Sequence, residues 1–179
     1  FQSFESALPP ADNAARLARL RSLLKRRRLD GLIVPHSDEY QSEYLPASAR
    51  RLAWLTGFSG SAGTAIVLAK EAAVFVDGRY TLHAAQQIDT KALAIESVID
   101  NPPVRWVAGK VKPGQSIGYD PWLLTVAEAR AYAKALDAAG AKLVPVGENP
   151  IDAIWDDRPA PPLGGVSVHP VEFAGEEAA

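Results

Sequence analysis

Residues 54–80, WLTGFSGSAGTAIVLAKEAAVFVDGRY, decide the fold of this chain. Glycine recurs every third residue from Gly57 to Gly63, so the backbone there can reach conformations that are closed to other residues. Two apolar runs follow, at 64–68 and 73–76, and the short join between them predicts a β-hairpin. The stretch is therefore expected to supply two neighbouring strands of a sheet.

The glycine-rich turn differs from the loops that bind nucleotides or hold a catalytic nucleophile. A dinucleotide-binding loop needs G-x-G-x-x-G between a strand and a helix, whereas this turn has G-x-x-G-x-x-G and precedes a strand. A P-loop would need Gly-Lys-Ser/Thr, which is missing. The hydrolase elbow G-x-S-x-G nearly occurs at 57–61, but its fifth residue is serine. The turn is therefore interpreted as a structural corner, packed by Trp54 and Phe58.

Strands and helices alternate on either side of the hairpin. Such alternation predicts an α/β fold, in which the hairpin makes the sheet mixed and helices flank it. The clearest helix covers 125–138, where Thr125 and Glu128 form a capping box and Gly140 ends the helix. The other predicted helices cover 13–28 with Asp12 or Asn13 as cap, 51–56, 79–88 with Asp77 as cap, a segment from Pro102, and 151–155. The other predicted strands cover 32–34, 92–95, 116–119 and 143–146.

Composition argues against several classes of protein. The 19 basic and 21 acidic residues give a net charge of −2, unlike the clustered basic excess of a nucleic-acid-binding protein. No apolar run approaches the roughly 20 residues that span a bilayer, and residues 1–10 lack the features of a signal peptide. Without cysteine there are no disulfides, zinc–thiolate sites or thiol nucleophiles. We expect a cytoplasmic protein that binds neither nucleic acid nor membrane.

Length and composition also predict a domain boundary. A chain of 179 residues fits one domain, or one domain with a fragment of another. Proline and glycine are dense from 158 to 165, which is typical of a linker. We expect one domain over 1–158, followed over 159–179 by the linker and the start of a second, truncated domain. The absence of methionine, even at position 1, leads us to expect a processed or excerpted chain.

The polar segment 36–51, HSDEYQSEYLPASARR, is the best candidate for function. Irregular segments of this length are uncommon and often functional. Its carboxylate, amide, phenol and guanidinium groups suit molecular recognition, and a solvated connection is the alternative interpretation. The candidate residues in it are Asp38, Gln41, Tyr44 and Arg50.

The remaining polar residues predict no metal site. His36, His83 and His169 lie far apart in sequence, and none has a metal-binding spacing such as H-E-x-x-H. His83 is interpreted as a boundary residue of a helix, and the acidic pair 156–157 as local capping. The basic run 25–28 allows two interpretations, a patch for nucleic acid or another anionic partner and a solvated helix end that complements the helix dipole, of which the second is favoured.

Four separate motifs resemble the cytosolic, three-domain type of aminopeptidase P. They are PHSDEYQSEY at 35–44, TGFSGSAGT at 56–64, DGRY at 77–80 and ENPIDAIWDDRP at 148–159, and they occur in the order of that family. The likeness covers nearly the whole chain. It implies that this chain is the creatinase-like N-terminal domain of such an enzyme, followed by the entry to its second domain.

The resemblance implies the activity of a larger protein. Enzymes of this family are Xaa-Pro aminopeptidases, hydrolases that remove an N-terminal residue when proline is second. Their C-terminal domain, of the pita-bread fold, binds two divalent metals, usually manganese, through two aspartates, a histidine and two glutamates, and the metals activate a water. This chain has no counterpart of that domain. We therefore expect no catalytic residue and no metal in it, and no activity of the chain alone.

The resemblance also implies partners. In the family, N-terminal domains support oligomerisation, here expected as a dimer, and close over the active-site cleft of their own C-terminal catalytic domain. Asp38, Gln41, Tyr44 and Arg50, with Arg79 nearby, are accordingly expected to face the peptide substrate or a partner subunit. Two alternatives stay open, a stand-alone binding module and the N-terminal domain of a non-peptidase such as creatinase.

Overall fold

Six strands form one mixed sheet in the computed structural model, which describes residues 12–177 of the chain. The strands are β1 Gly31–Pro35, β2 Thr64–Leu68, β3 Ala72–Val76, β4 Ala94–Ser97, β5 Ser116–Tyr119 and β6 Lys142–Pro145. The α-helices are α1 Asn13–Arg26, α2 Arg51–Thr56, α3 Thr81–Gln87, α4 Pro103–Lys110, α5 Val126–Ala138 and α6 Val171–Ala174. Short 3-10 helices cover Ala47–Ala49, Gly78–Tyr80 and Asp152–Ile154.

The strand order is β4-β3-β2-β1-β5-β6, in which the two strands of the predicted hairpin, β2 and β3, are neighbours. β2 pairs antiparallel with both β1 and β3, while β4, β5 and β6 each run parallel to their inner neighbour. All strands except β2 therefore point the same way. The ends of those strands and the start of β2 meet at one edge of the sheet, which we call the carboxyl edge. The predicted α/β fold with a mixed sheet is confirmed.

The two faces of the sheet support two separate cores, because successive side chains of a strand point to opposite faces. On β1, Leu32 and Val34 belong to one core, and Ile33 belongs to the other. The first core packs against helices α1, α2 and α3, and the second against α4 and α5. Side chains with at most 2% exposure that fill the two layers include Leu17, Leu20, Leu52, Leu55, Phe58, Ile66, Phe75, Ile117 and Leu136.

Two of the described α-helices, α1 and α5, begin at a capping side chain. The Asp12 carboxylate accepts a hydrogen bond from the amide of Ala15 at 3.0 Å, at the start of α1. Thr125 and Glu128 form the predicted capping box of α5, whose reciprocal bonds satisfy free amides of the first turn. Asp77 accepts from the amide of Arg79, but it caps a 3-10 turn rather than an α-helix.

Several predicted boundaries are wrong by a few residues, for local reasons. The helix predicted over 13–28 ends at Arg26, because Arg28 has a positive φ of 56° that a helix cannot continue. The helix predicted over 79–88 divides into a 3-10 turn and α3. The strand predicted over 92–95 begins at Ala94, because the amide of Leu93 is held in a turn by the carbonyl of Asp89 at 3.1 Å.

Beyond β6, the chain stays packed against the first core as far as Trp155. No strand follows among the described residues, and α6 is a single turn in which residues 171–173 are exposed. Leu163, Val166 and Val168 are each more than 90% exposed. The domain boundary near 158 stays a prediction. None of the helices within 12–177 combines the length and apolarity that crossing a membrane would require.

Candidate functional site

The polar segment after β1 lies on the carboxyl edge and packs against the glycine-rich turn. The amide of His36 donates to the carbonyl of Gly63 at 2.8 Å, and the His36 ring lies 3.0 Å from the carbonyl of Glu43. The Ser61 hydroxyl donates to the Glu43 carboxylate at 3.1 Å and accepts from the Tyr80 hydroxyl at 2.8 Å. Three segments that are distant in sequence thus share one hydrogen-bonded network, Glu43–Ser61–Tyr80.

Asp38 organises this segment from within. Its side chain is only 3% exposed, and one carboxylate oxygen accepts from the amides of Tyr40 at 3.0 Å and Ser42 at 2.9 Å. Burial by itself would raise the pKa of Asp38, but the hydrogen bonds from Ser42 and Tyr40 outweigh it and hold the pKa below the usual value. The turn that results places Gln41 at a positive φ of 58°, on the outer side of the segment.

We expect Asp38→Asn to reduce the free energy of unfolding by about 1–2 kcal/mol at neutral pH, because an amide is a weaker acceptor for two backbone N–H groups. The folded pKa of Asp38 lies below its unfolded value of about 3.9, so the stabilisation is complete above that pH. It is lost as the pH falls through the lower folded pKa. The stability difference between wild type and Asp38→Asn should therefore shrink from pH 7 to pH 2 in urea unfolding.

The neighbouring carboxylate provides a matched control for this prediction. Glu39 is exposed, and Glu39→Gln removes the same charge one residue away. Surface changes of this kind usually alter stability by less than about 0.5 kcal/mol. A difference for Asp38→Asn that stayed constant down to pH 2, or that Glu39→Gln reproduced, would contradict the role given to the Asp38 carboxylate.

Two glycines of the turn, Gly57 and Gly60, are required for different structural reasons. Gly57 ends α2 in the left-handed conformation, with φ 77°, where glycine is strongly favoured. Gly60 has no positive φ. A Cβ there would lie 2.3 Å from the ring of Phe58 and 2.8 Å from the ring of Tyr80. Phe58 itself packs edge-on against Tyr80, with ring centroids 5.5 Å apart. The predicted structural corner thus depends on space at Gly60 and on backbone conformation at Gly57.

His83 adds a second polar group to this corner. Its ring Nε2 lies 3.2 Å from the Ser59 hydroxyl, and the ring centroid lies 5.9 Å from that of Phe58. Gln87 accepts from the Ser59 amide at 2.9 Å. These contacts fix α3 against the turn, which is consistent with His83 as a residue at the boundary of the helix.

The sequence-predicted residues lie at different depths of this surface. Gln41 lines a cleft of about 330 Å³ together with His36, Glu43 and Ser61. Tyr44 is 85% exposed. Asp38 is buried beneath these side chains, so it shapes the surface from below.

Arg79 and Arg50 are both engaged within the domain. Arg79 binds Asp77 at 2.7 Å and lies 5.3 Å above the Tyr80 ring, next to the Glu43–Ser61–Tyr80 network. Its hydrogen bond and charge interaction with Asp77 raise the pKa of Arg79, and the Glu43 carboxylate acts in the same direction. Arg50 donates to the carbonyl of Leu45 at 3.1 Å, which closes the segment before α2.

Ser61 and Tyr80 were not selected from the sequence as site residues, and Glu43 was noted only as one of the polar recognition groups of segment 36–51. Each lies inside a motif that the sequence did single out, in the polar segment, the glycine-rich turn and the DGRY tetrad. The two hydrogen bonds that bring them together join residues that are 18 and 19 positions apart in the sequence. The sequence did contain a signal for this site. Glu43 and Tyr80 follow the ends of β1 and β3, and strands that run the same way bring their ends to one edge of the sheet.

Exposed apolar side chains lie on the same edge of the sheet as the polar network. They lie in the segments that follow β1, β3, β4 and β5, with Leu82 on α3, and each is more than 70% exposed: Tyr40, Tyr44, Leu82, Ile99 and Trp122. We call these five residues the apolar rim. Exposed groups of this kind, combined with polar residues, are typical of surfaces that bind another protein.

The arrangement is suited to binding and positioning. No group of three or more His, Cys, Asp or Glu side chains that could hold a metal occurs within 12–177. Ser59 and His83 approach each other, but their third partner is the neutral amide of Gln87, so the trio lacks the carboxylate of a hydrolytic triad.

Comparison with known proteins assigns this chain to a family. The family model of the Creatinase/Prolidase N-terminal domain matches residues 16–154. A curated relative from Coccidioides posadasii, named "Probable Xaa-Pro aminopeptidase P", is 44% identical over 177 residues, which cover 97% of this chain and 27% of the relative. A protein of the same name from Arthroderma otae is 42% identical over 171 residues, or 94% of this chain and 27% of the relative. The chain thus spans about a quarter of the length of these relatives.

Solved structures agree with this assignment. One is the X-prolyl aminopeptidase from Caenorhabditis elegans, described as a cytosolic enzyme with a di-nuclear active site. It is 32% identical to this chain and superposes with a TM-score of 0.76, over 83% of this chain and 26% of that one. The N-terminal domain of the cytoplasmic peptidase PepQ from Mycobacterium tuberculosis is 27% identical with a TM-score of 0.58, over 78% of this chain and 98% of that one. The chain therefore belongs to the Creatinase/Prolidase N-terminal domain family, as its motifs indicated.

Proposed function

We propose that this chain is the non-catalytic N-terminal domain of a metal-dependent Xaa-Pro aminopeptidase, an enzyme that releases the N-terminal residue preceding proline. The observation that carries the proposal is the 44% identity over 97% of the chain to a protein named as an Xaa-Pro aminopeptidase P, of which the chain spans 27%. The family match ends at residue 154, four residues before the proposed domain boundary at 158. Residues 159–179 then lead towards a second domain.

The catalytic metals belong to a downstream domain in this proposal. The Caenorhabditis elegans relative is described as having a di-nuclear active site, and residues 12–177 of this chain contain no group suited to a metal. We propose two divalent ions, manganese in particular, that activate a water for attack on the peptide bond. The same relative is described as cytosolic, which supports a cytoplasmic location for this protein.

In this proposal, the domain acts through the surface at its carboxyl edge. Gln41, Tyr44 and Arg79 present polar groups beside the cleft, and the apolar rim offers area for a protein contact. We propose that this edge faces the substrate cleft of the protein's own catalytic domain or of a second subunit in a dimer. Asp38 then acts as a positioning residue beneath Gln41, and Arg50 closes the segment.

The experiment begins with the gene beyond the codon for Ala179. We expect it to encode a domain with two aspartates, a histidine and two glutamates as metal ligands. The full-length protein should then cleave Xaa-Pro peptides, lose that activity in a chelator and regain it with Mn²⁺. A gene that ended at Ala179 would favour the stand-alone binding module. A full-length protein that hydrolysed creatine and left Xaa-Pro peptides intact would favour the creatinase alternative.

Variants of the carboxyl edge in the same assay test the role of this domain. Gln41→Ala and Tyr44→Ala should each raise KM by about 2–10-fold, the loss of roughly one hydrogen bond to a peptide or to the cleft wall. Arg130→Ala, at an exposed position on α5, is the control and should leave kcat and KM unchanged. Unchanged kcat and KM in both edge variants would refute the assignment of this surface while leaving the Xaa-Pro activity itself standing.

A further inference from the structure

A second concave surface lies away from the carboxyl edge, between the C-terminal end of α1 and the turn that joins β2 to β3. It is a cleft of about 660 Å³, within the usual size of small-ligand sites. The polar and charged side chains that line it are Arg21, Ser22, Lys25, Arg28 and Asp30. We call it the basic cleft, and we propose that it binds a soluble, phosphate-bearing anion.

The charge of the basic cleft is the first support. Three cationic side chains face one carboxylate, an excess of two positive charges in a chain whose net charge is −2. Asp30 is turned towards β5, where its oxygens accept from the amide of Ser116 at 2.8 Å and from Gln115 at 3.3 Å. Its negative charge is therefore already engaged by hydrogen-bond donors.

The cations of the basic cleft are also unpaired within the described chain. None of the ion pairs within 12–177 includes Arg21, Lys25 or Arg28. Arg27, in the same basic run, is by contrast bound to Glu148 at 2.5 Å. Arg21 is half-buried, and burial lowers its pKa, since its guanidinium loses water without gaining a carboxylate. An anion in the cleft would supply the missing countercharge.

One donor, the guanidinium of Arg21, is oriented before any ligand arrives. Arg21 uses its Nε to hold the carbonyl of Leu68 at 2.9 Å, which fixes the guanidinium and leaves its two terminal nitrogens for a ligand. Lys25 lies one helical turn further along, on the same face of α1. Ser22 accepts from Arg26 at 3.0 Å, so its own hydroxyl hydrogen can be donated into the cleft.

The backbone of Arg28 supports the same conclusion. The amide of Leu29 bonds the carbonyl of Leu24 and the amide of Arg28 bonds that of Lys25, the two bonds of a Schellman ending. Glycine is the usual residue at the left-handed position of this motif, yet this chain places arginine there with φ 56°. The conformation is unfavourable for arginine, and it brings a third cation to the basic cleft.

A free phosphate compound fits this surface better than a lipid headgroup. The guanidinium groups of Arg21 and Arg28 match the several oxygens of a phosphate in geometry and charge. None of the exposed large apolar side chains of the described residues lines the basic cleft, so it offers no group for insertion into a bilayer. The anion-binding interpretation of the basic run therefore applies to Lys25 and Arg28, together with Arg21 from the preceding turn.

The test titrates inorganic pyrophosphate into the 179-residue chain at constant ionic strength and follows backbone amide NMR signals. We expect saturable shifts confined to the residues around 21–30 and 68–70. Arg21→Gln/Lys25→Gln should weaken the affinity at least about tenfold, because charge-assisted hydrogen bonds are lost. Arg130→Gln/Lys134→Gln removes the same charge at the same helical spacing on α5 and should change the affinity less than about twofold.

A second variant separates binding from folding. Arg28→Gly should raise the melting temperature by about 2–4 °C, since glycine suits the left-handed position, while it weakens pyrophosphate binding. Shifts that do not saturate, an equal loss of affinity in the α5 variant, or wild-type affinity in Arg28→Gly would each overturn the proposal. Binding to vesicles that contain phosphatidic acid, without binding of pyrophosphate, would overturn it as well.

Discussion

Asp152→Ala is expected to lower the free energy of unfolding by about 3–5 kcal/mol, the usual effect of removing one partner from a buried ion pair. The Asp152 carboxylate binds two cations at once. Its two oxygens accept from Nε and Nη2 of Arg51 at 2.7 and 2.9 Å, and Arg158 approaches the second oxygen at 2.7 Å. The alanine variant would leave both guanidinium groups without a countercharge.

The expected loss of stability is large because the side chain of Arg51 is only 9% exposed. Its Nη1 is buried and has no hydrogen-bond partner, so the Asp152 carboxylate is the group that compensates its charge. Arg158 is less affected, since its side chain is 30% exposed and its Nε also donates to the carbonyl of Ser48 at 2.8 Å. The cost of the variant thus comes mainly from a buried, uncompensated guanidinium on α2.

The same region is joined to α1 and α2 by aromatic contacts. Trp155 stacks on Trp54 with ring centroids 5.3 Å apart, and the guanidinium of Arg16 lies 4.6 Å above the Trp54 ring. Loss of the Asp152 ion pair should therefore also loosen Trp155. Denaturant unfolding followed by tryptophan fluorescence would report both the global stability and this local change.

Asp156→Ala is the matched control, because it removes the same side chain four residues later. Asp156 pairs with Arg19 at 2.9 Å, but both side chains are at least 49% exposed, and such pairs contribute at most about 1 kcal/mol. Replacing the buried pair in Arg51→Met/Asp152→Leu should recover much of the stability, since apolar residues of similar volume need no countercharge. Equal effects of Asp152→Ala and Asp156→Ala would contradict the importance of burial here.

The sequence predicted best what short-range contacts determine. The capping box of Thr125 and Glu128, the hairpin of β2 and β3, and the cap at Asp12 each involve residues close together in the chain. Their geometry follows from local hydrogen bonds and alternation, so pattern alone was sufficient. The same reasoning placed the ends of helices and strands only to within a few residues, because single turns such as that at Asp89 decide them.

Contacts between distant segments could not be predicted in this way. The acidic pair 156–157 suggested local capping, yet Asp156 binds Arg19, which lies 137 residues away. For Asp38, which was expected to face the peptide substrate or a partner subunit, the hydrogen bonds to amides two and four residues further on are local, but its burial depends on how the whole segment packs. Its side chain is buried because the segment folds back over it. Composition shows which polar groups are present, while the packing of the segment decides which of them face outward.

Gly60→Val is expected to destabilise the domain by about 3 kcal/mol, the upper part of the usual range for overpacking a core. A Cβ at this position would lie 2.3 Å from Cζ of Phe58, far inside van der Waals contact. Phe58 is 1% exposed and is enclosed by Tyr80 and His83, so its ring has little room to move away. For a chain of this length, the melting temperature should fall by about 6–12 °C.

Two further variants show whether lack of space at the corner is the cause. Gly147→Val changes an exposed glycine whose added Cβ meets no atom within 4 Å, and it should alter stability by less than about 0.5 kcal/mol. Phe58→Leu replaces the ring that a valine at position 60 would meet with a smaller side chain. The losses of stability caused by Phe58→Leu and by Gly60→Val should therefore be less than additive in the double variant. Since Phe58 also fixes Tyr80, which donates to Ser61 in the network with Glu43, Gly60→Val should disturb the candidate site as it loosens the corner. A Gly60→Val variant with the wild-type melting temperature would show that the turn tolerates bulk, and the corner would then have to be explained by something other than close packing.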